Sequence, residues 1–185
     1  MSYFIHQSKR LAYLLRHSSL PDMQGWIQVS DLIARHGFTT EMLKDIVYND
    51  ESGRFEFSGD KSAVRTKYGH TNHVYIEMPA VVPPRRLYHG TSDKAASKIL
   101  SEGIARMNRH YVHLSETAAK AIKVGERHGT PVVLTIDTEA MYRDGHKFHN
   151  PTAGVWLTSH IDACYISIEP TADIANKESV TDEPQ

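Results

Sequence analysis

A chain of 185 residues that is 40% hydrophobic and 23% charged can bury a real core, and its composition excludes fibrous and wholly disordered classes. A formal net charge of -1 excludes the broad basic surface of a non-specific nucleic-acid binder and still allows a local anion pocket. One cysteine, Cys164, allows neither an internal disulfide nor a thiolate metal cluster. The charge is uneven. Residues 1–82 carry 9 basic and 9 acidic side chains, residues 83–170 carry 11 and 9, and residues 171–185 carry 1 and 4, so the acidity sits in the tail. No apolar run approaches the length needed to span a bilayer, and a cytoplasmic protein is expected.

From the N-terminus, Tyr3, Phe4, Leu11, Tyr13, Leu14 and Leu15 recur at helical spacing over residues 3–17, and Arg16 and His17 close that segment as cations complementing the helix dipole. Leu20-Pro21-Asp22 breaks the chain. Residues 25–29 predict a short strand leading into a helix with Ser30 as N-cap and an end near Gly37. Thr40 and Glu41 open a second short helix with Leu43, Ile46 and Val47 on its apolar face. Phe55 and Phe57, the Gly59-Asp60 turn and Ala63-Val64-Arg65 predict a β-hairpin. Val64 should face the core, which puts Arg65 on the opposite face, just ahead of the loop Thr66 to His70, whose polar and aromatic groups, Tyr68 and His70 among them, are expected to be able to meet phosphate and base. Helices followed by a hairpin predict a winged-helix-like lobe over residues 1–82.

Pro83-Pro84 then punctuates the chain, and Arg86 to Thr91 predicts a strand that ends at His89-Gly90, where a glycine lets backbone approach a ligand closely. Ser92 predicts the cap of a helix running to Leu100 and ending by Gly103. Strands are expected at 111–114, 131–137, 155–157 and 165–168, with a helix from Glu116 to His128. The pattern gives a mixed α/β lobe over 83–170 in an α+β protein, and a flexible acidic tail over 171–185.

Twelve histidines raise a metal reading through His110 with His113, or His70 with His73. Neither pair has the carboxylate or thiolate company of a metal motif, and no metal is expected. There is no glycine-rich phosphate loop and no glycine-flanked nucleophilic serine. Glu126 and Glu169 read as surface and strand-end charges. What remains is arginine and histidine: Arg16, His17, Arg65, Arg127 and His128, with His89 and His113 on strands. Guanidinium groups bind phosphate oxygens bidentately and stay charged, so the set suits a phosphate-handling site.

Leu15-Arg16-His17, Gly25-Trp26, Arg54-Phe55, Val64-Arg65 through Gly69-His70, Leu87 to Thr91, Tyr111 to Ser115, Val124 to Gly129 and Gly154 to Thr158 together, in order over residues 8–169, resemble the RNA 2'-phosphotransferase family, also called tRNA 2'-phosphotransferases. The resemblance implies an N-terminal winged-helix-like lobe that grips RNA and a C-terminal ADP-ribosyltransferase-like lobe that binds NAD. It implies NAD-dependent removal of an internal RNA 2'-phosphate, giving a 2'-hydroxyl, nicotinamide and ADP-ribose cyclic phosphate. The family's catalytic set falls on Arg16, His17, Arg65 and Arg127. Its cofactor residues fall on His89, Gly90, Thr91, His113, Ser115 and Val155, the last where many other ADP-ribosyltransferases carry a carboxylate. The chain departs from the pattern in a short Ser18 to Gln24 loop and in Tyr111, where many relatives have histidine. A monomer is expected, with no membrane partner. The competing readings are an ADP-ribosyltransferase that modifies protein or terminal nucleic-acid phosphates without the second step, and an RNA-binding module without activity.

Overall fold

The computed structural model of the chain describes residues 2–168; Glu169 and the acidic tail over 171–185 lie outside the described residues. Helices and antiparallel sheets make it an α+β protein. The chain divides into two compact units. One comprises Met1–Met78, Asn108–His110 and Pro151–Ala153, and the other Pro79–Met107, Tyr111–Asn150 and the chain from Gly154.

In the first unit, helix α1 (Ser2–His17) turns Leu11 and Leu15 fully into the core, whereas Tyr3, Phe4 and Tyr13 of the expected apolar face are exposed. Strand β1 (Ile27–Gln28) leads into α2 (Val29–His36), and α3 (Thr40–Tyr48) follows. Ser30 does not cap α2. The Val29 N–H donates to the Ser62 carbonyl at 2.8 Å, so the helix starts straight off the strand and Ser30 lies inside its first turn. The cap that does form is one residue upstream of Thr40: Thr39 Oγ1 accepts from the Met42 N–H at 3.1 Å, satisfying an amide that the helix itself cannot. Hairpin β2 (Phe55–Phe57) and β3 (Ala63–Thr66) pairs Glu56 with Arg65, and β1 joins the other edge of β3. Asp60 organises the turn between them by accepting from Ser58 and Ser62 hydroxyls. The core gathers Leu11, Leu15, Leu32, Phe38, Leu43, Ile46 and Val64, one apolar stripe from each element.

The second unit is built on a six-stranded sheet in the order β11-β7-β4-β6-β9-β8, where β4 is Arg86–Ser92, β6 Val112–Ser115, β7 Pro131–Asp137, β8 His149–Thr152, β9 Val155–Thr158 and β11 Ile166–Ile168. Helices α4 (Asp93–Glu102), α5 (Ala118–Gly125) and α6 (Thr138–Arg143) complete it, with a small β5 (Ile104–Ala105) and β10 (His160–Ile161) pair. The short elements α6, β5, β8 and β10 have no counterpart in the sequence reading. Each is too brief to show a period.

Four expectations change here. Strand β4 does not end at His89-Gly90; it continues to Ser92 because every residue from Arg86 to Ser92 pairs with β7. Ser92 stands at the N-cap of α4, but its side chain makes no capping bond. The helix expected over Glu116 to His128 is only Ala118–Gly125, entered at Thr117, whose hydroxyl accepts from the Lys120 N–H. Tyr165 belongs to a 3₁₀ turn, Ala163–Tyr165, ahead of β11.

Gly90 explains how α5 meets the sheet. A Cβ at this position would lie 1.8 Å from the Ala121 carbonyl oxygen, and one at Gly125 would lie 2.8 Å from the Thr91 carbonyl oxygen. The helix backbone therefore rests directly on β4, and the group that the glycine admits is α5. We predict that Gly90→Ala destabilises the protein by more than about 2 kcal/mol, since backbone cannot yield as a side-chain tip can. Urea unfolding tests this, and a variant within experimental error of the parent would contradict it.

Candidate active site

Arg16 closes α1, and its surroundings are built to hold a guanidinium without neutralising it. The Tyr68 ring lies beneath it, 5.1 Å from Cζ to centroid. On another side is Gly69, whose φ of +89° favours glycine and where a Cβ would stand 3.0 Å from Arg16 Cζ. Both reasons require glycine there. Arg16 Nε and Nη2 are buried without a hydrogen-bond partner. Burial is the main influence lowering the Arg16 pKa to about 10; Tyr68 opposes the shift, and Arg109 and Arg54 add to it. Arg16 is thus still charged at neutral pH. Arg54 is itself paired: Asp50 Oδ1 accepts from its Nη2 at 2.7 Å and from its Nε at 3.0 Å.

His17 follows on the same helix end. Its Nδ1 lies 2.8 Å from Thr71 Oγ1, while the Thr71 N–H donates to the Arg16 carbonyl at 3.0 Å and the Thr71 hydroxyl lies 3.4 Å from the same oxygen. With the hydroxyl proton directed at that carbonyl, Oγ1 accepts from Nδ1–H. Nε2 is then the nitrogen left for a substrate. Desolvation, then Arg16 and Arg109, hold the His17 pKa below its ordinary value.

Arg65 is positioned from three sides. Its Nε donates to Glu56 Oε1 at 2.6 Å across the hairpin, its Nη1 to the Gln24 carbonyl at 3.1 Å, and its guanidinium lies 4.3 Å above the Trp26 ring. That leaves Nη2 without a hydrogen bond among the described residues. The short loop before Gly25 takes part directly, since Gln24 is one of the three supports.

In the second unit, strand alternation places Leu87, His89 and Thr91 on one face of β4 and Tyr88, Gly90 and Ser92 on the other. The register carries Tyr88 across to Ser115, Ser115 to Val155, and His113 to Leu157. The expected cofactor residues thus divide between the two faces: His89 and Thr91 on one, Gly90, His113, Ser115 and Val155 on the other. His89 Nδ1 nonetheless lies 3.1 Å from the His113 carbonyl. An imidazole nitrogen facing a carbonyl carries the proton, so the lone pair of His89 sits on Nε2. Burial first lowers the His89 pKa; the His113 carbonyl opposes this and His128 adds to it. Arg127 is exposed in the turn that follows α5, where the His128 N–H donates to the Gly125 carbonyl at 2.8 Å.

Sequence reasoning found the arginines and histidines but missed what holds them: Tyr68, Gly69 and Thr71 around Arg16 and His17, and Glu56, Gln24 and Trp26 around Arg65. It also missed Arg109, an exposed loop residue that acts electrostatically on Arg16 and His17. Pairing the hairpin residue by residue would have found Glu56 opposite Arg65. Tyr68 and His70 were expected to meet phosphate and base. Instead both are buried, His70 only 5% exposed with Nε2 at 3.0 Å from Thr66 Oγ1. Three of the histidines that raised a metal reading lie against backbone carbonyls, His73 on Pro21, His110 on Asn72 and His113 on Tyr111.

The chain is similar to known proteins over most of its length. The profile of "RNA 2'-phosphotransferase, Tpt1 / KptA family" matches residues 4–160. A protein of Streptomyces coelicolor is 40% identical over 169 residues, covering 86% of this chain and 92% of its own. One of Burkholderia pseudomallei is 38% identical over 177 residues, covering 89% and 96%, and one of Pectobacterium atrosepticum is 40% identical over 171, covering 86% and 94%. All three carry the name "Probable RNA 2'-phosphotransferase". The chain belongs to the RNA 2'-phosphotransferase family.

His70 supplies a prediction. Desolvation, reinforced by Arg16 and by His110, lowers its pKa from 6.5 to about 4. The unfolded chain therefore takes up this proton first as the pH falls, and the stability tied to neutral His70 is present above 6.5 and lost on the way down to about 4. The full loss is about 3 kcal/mol. The stability difference between the parent and His70→Gln, measured by urea unfolding, should fall by an amount of that order across this window. A difference independent of pH would show that His70 titrates normally.

Proposed function

We propose that this protein removes an internal 2'-phosphate from RNA, with NAD as a consumed co-substrate, by way of RNA whose 2'-phosphate carries ADP-ribose. The observation that carries this reading is Arg16. It is a charged guanidinium with two buried, unpartnered nitrogens, in a field made more positive by Arg109, beside a histidine whose Nε2 is open. Burying such a charge without an anionic partner costs several kcal/mol, and a phosphate monoester offsets that cost through paired charge-assisted bonds. Relatives in the family are named for RNA 2'-phosphate transfer, which selects this phosphate among others.

The first unit, which we read as winged-helix-like, holds the RNA phosphate through Arg16 and the free edge of Arg65. The second, which we read as ADP-ribosyltransferase-like, takes NAD. The His89 side chain fits that role, because its unprotonated Nε2 is an acceptor for a ribose hydroxyl. Gly90 can contribute only its backbone, since α5 occupies its open side. Thr91, His113, Ser115 and Val155 are assigned by the family resemblance, as is Arg127. Val155 stands where a carboxylate would otherwise activate a nucleophile, and a phosphate already anionic at neutral pH needs no such base.

NAD supplies an anomeric carbon with nicotinamide as leaving group. In the first step a phosphate oxygen bonds to that carbon, and nicotinamide departs with the electron pair. In the second, a hydroxyl of the same ribose bonds to phosphorus, loses its proton to solvent, and the bond to the RNA 2'-oxygen breaks. That oxygen needs a proton, and we assign its delivery to Nε2–H of protonated His17. Burial, then Arg16 and Arg109, lower the His17 pKa in the free protein, and a bound phosphate dianion opposes the two arginines, so substrate favours the protonated imidazole.

Incubation with NAD and a short RNA bearing one internal 2'-phosphate should yield RNA 2'-hydroxyl, nicotinamide and ADP-ribose cyclic phosphate. Unchanged RNA with intact NAD would overturn the reading, and a persistent ADP-ribosyl adduct would mark a transferase that stops after one step. Charge build-up on phosphorus and a poor leaving group make the second step the more demanding. Arg16→Ala, His17→Ala and Arg127→Ala should thus slow it by about a hundred- to a thousand-fold and accumulate the adduct in a single turnover. Equal loss of nicotinamide release and RNA product, with no adduct, would contradict that division.

A further inference from the structure

One cluster of metal-ligating side chains is used by none of this chemistry. His146 follows α6, His160 lies on β10, and Asp162 comes two residues later; one ligand atom from each lies within 4.8 Å of the other two. His160 Nε2 is 3.7 Å from Asp162 Oδ2. The two imidazole rings are 5.1 Å apart between centroids.

The surroundings hold these groups from outside the cluster. His160 Nδ1 is engaged by Ser159 Oγ at 3.0 Å, which turns Nε2 towards Asp162, the arrangement that orients a ligating histidine. The His146 ring packs edge-on against Tyr165 at 5.5 Å, and the Tyr165 hydroxyl donates to Asp144 Oδ2 at 2.6 Å. The His146 N–H donates to the Met141 carbonyl at 3.0 Å, and β10 is paired with β5, His160 opposite Ala105. Two separately anchored backbone segments therefore present the three donors, so little chain ordering is needed to bring them together.

We propose that His146, His160 and Asp162 form a binding site for a divalent transition-metal ion of the zinc class. Two imidazoles and one carboxylate suit zinc, cobalt or nickel, whereas magnesium and calcium select all-oxygen sites. Zinc–nitrogen bonds of about 2.0–2.1 Å place tetrahedral donors about 3.3 Å apart, so a separation at the 4.8 Å limit must close by about 1.5 Å. His160 and Asp162 have side chains 53% and 59% exposed, free to make that adjustment by rotation. The same exposure leaves a fourth position for water and makes the ion exchangeable. The bound ion links the segment after α6 to the turn after β10.

Zinc and cobalt titrations of the chelator-treated full chain test the proposal. One equivalent of Co²⁺ should give the visible bands of a four-coordinate site, and Zn²⁺ should displace it and raise the thermal midpoint. His160→Ala, at an exposed position, should leave the metal-free protein folded, weaken Zn²⁺ binding roughly tenfold or more and abolish the thermal shift. His146→Ala, once its metal-free unfolding curve shows it folded, should do the same, while His73→Ala should not. Absence of binding to the parent, or binding unaltered in both His146→Ala and His160→Ala, would overturn the assignment.

Discussion

The first unit depends on one uncompensated charge. Arg16 keeps its guanidinium against the Tyr68 ring and the bare backbone of Gly69, with two nitrogens unpartnered. Other arginines show what pairing looks like here: Arg54 is clamped by Asp50 and Arg65 by Glu56. The chain builds two such pairs and leaves buried Arg16 without a carboxylate, and our proposal of an anion site rests on that contrast. The rest of the site follows from the same placement. Thr71 bonds to the Arg16 carbonyl and to the next side chain, so one loop residue fixes both the helix end and the imidazole of His17.

In the second unit the corresponding constraint is steric. Strand β4 pairs along its whole length with β7, and α5 rests on it at Gly90. This close approach fixes the strand from which His89 projects, and the His113 carbonyl then decides which of its nitrogens bears the proton. A glycine serving packing thus sits next to a histidine available for recognition. The resemblance groups His89, Gly90 and Thr91 as a cofactor motif, and within it the structure gives Gly90 a packing role.

How much of this was legible in the sequence follows from how local each signal is. Pro131–Asp137 was read to the residue because a β-branched run bounded by a proline and an aspartate leaves little alternative, and α1 and the β2–β3 hairpin were read from period and turn chemistry. Ser30 failed as a cap because a tertiary bond from Val29 to Ser62 started the helix early, which no local pattern records. The strand end at His89-Gly90 failed because ladder pairing with β7, about forty residues on, overrode the glycine. In the candidate site, residue type singled out Arg16, His17 and Arg65, together with Arg127 and His128. Their supports were not legible, since Tyr68 and His70 look like surface recognition groups until burial shows that they are packing, and Arg109 acts from a loop with no period at all.

The central claim is that Arg16 is a phosphate receptor, and it can be measured without turnover. Two RNAs differing only in one internal 2'-phosphate should be titrated, in the absence of NAD, against the parent and against Arg16→Met, which keeps the length of the side chain and removes its charge. The account predicts that the parent prefers the phosphorylated RNA by at least about tenfold, as expected for charge-assisted bonds from a desolvated guanidinium, and that Arg16→Met binds the two RNAs alike. A preference retained in full by Arg16→Met would contradict it.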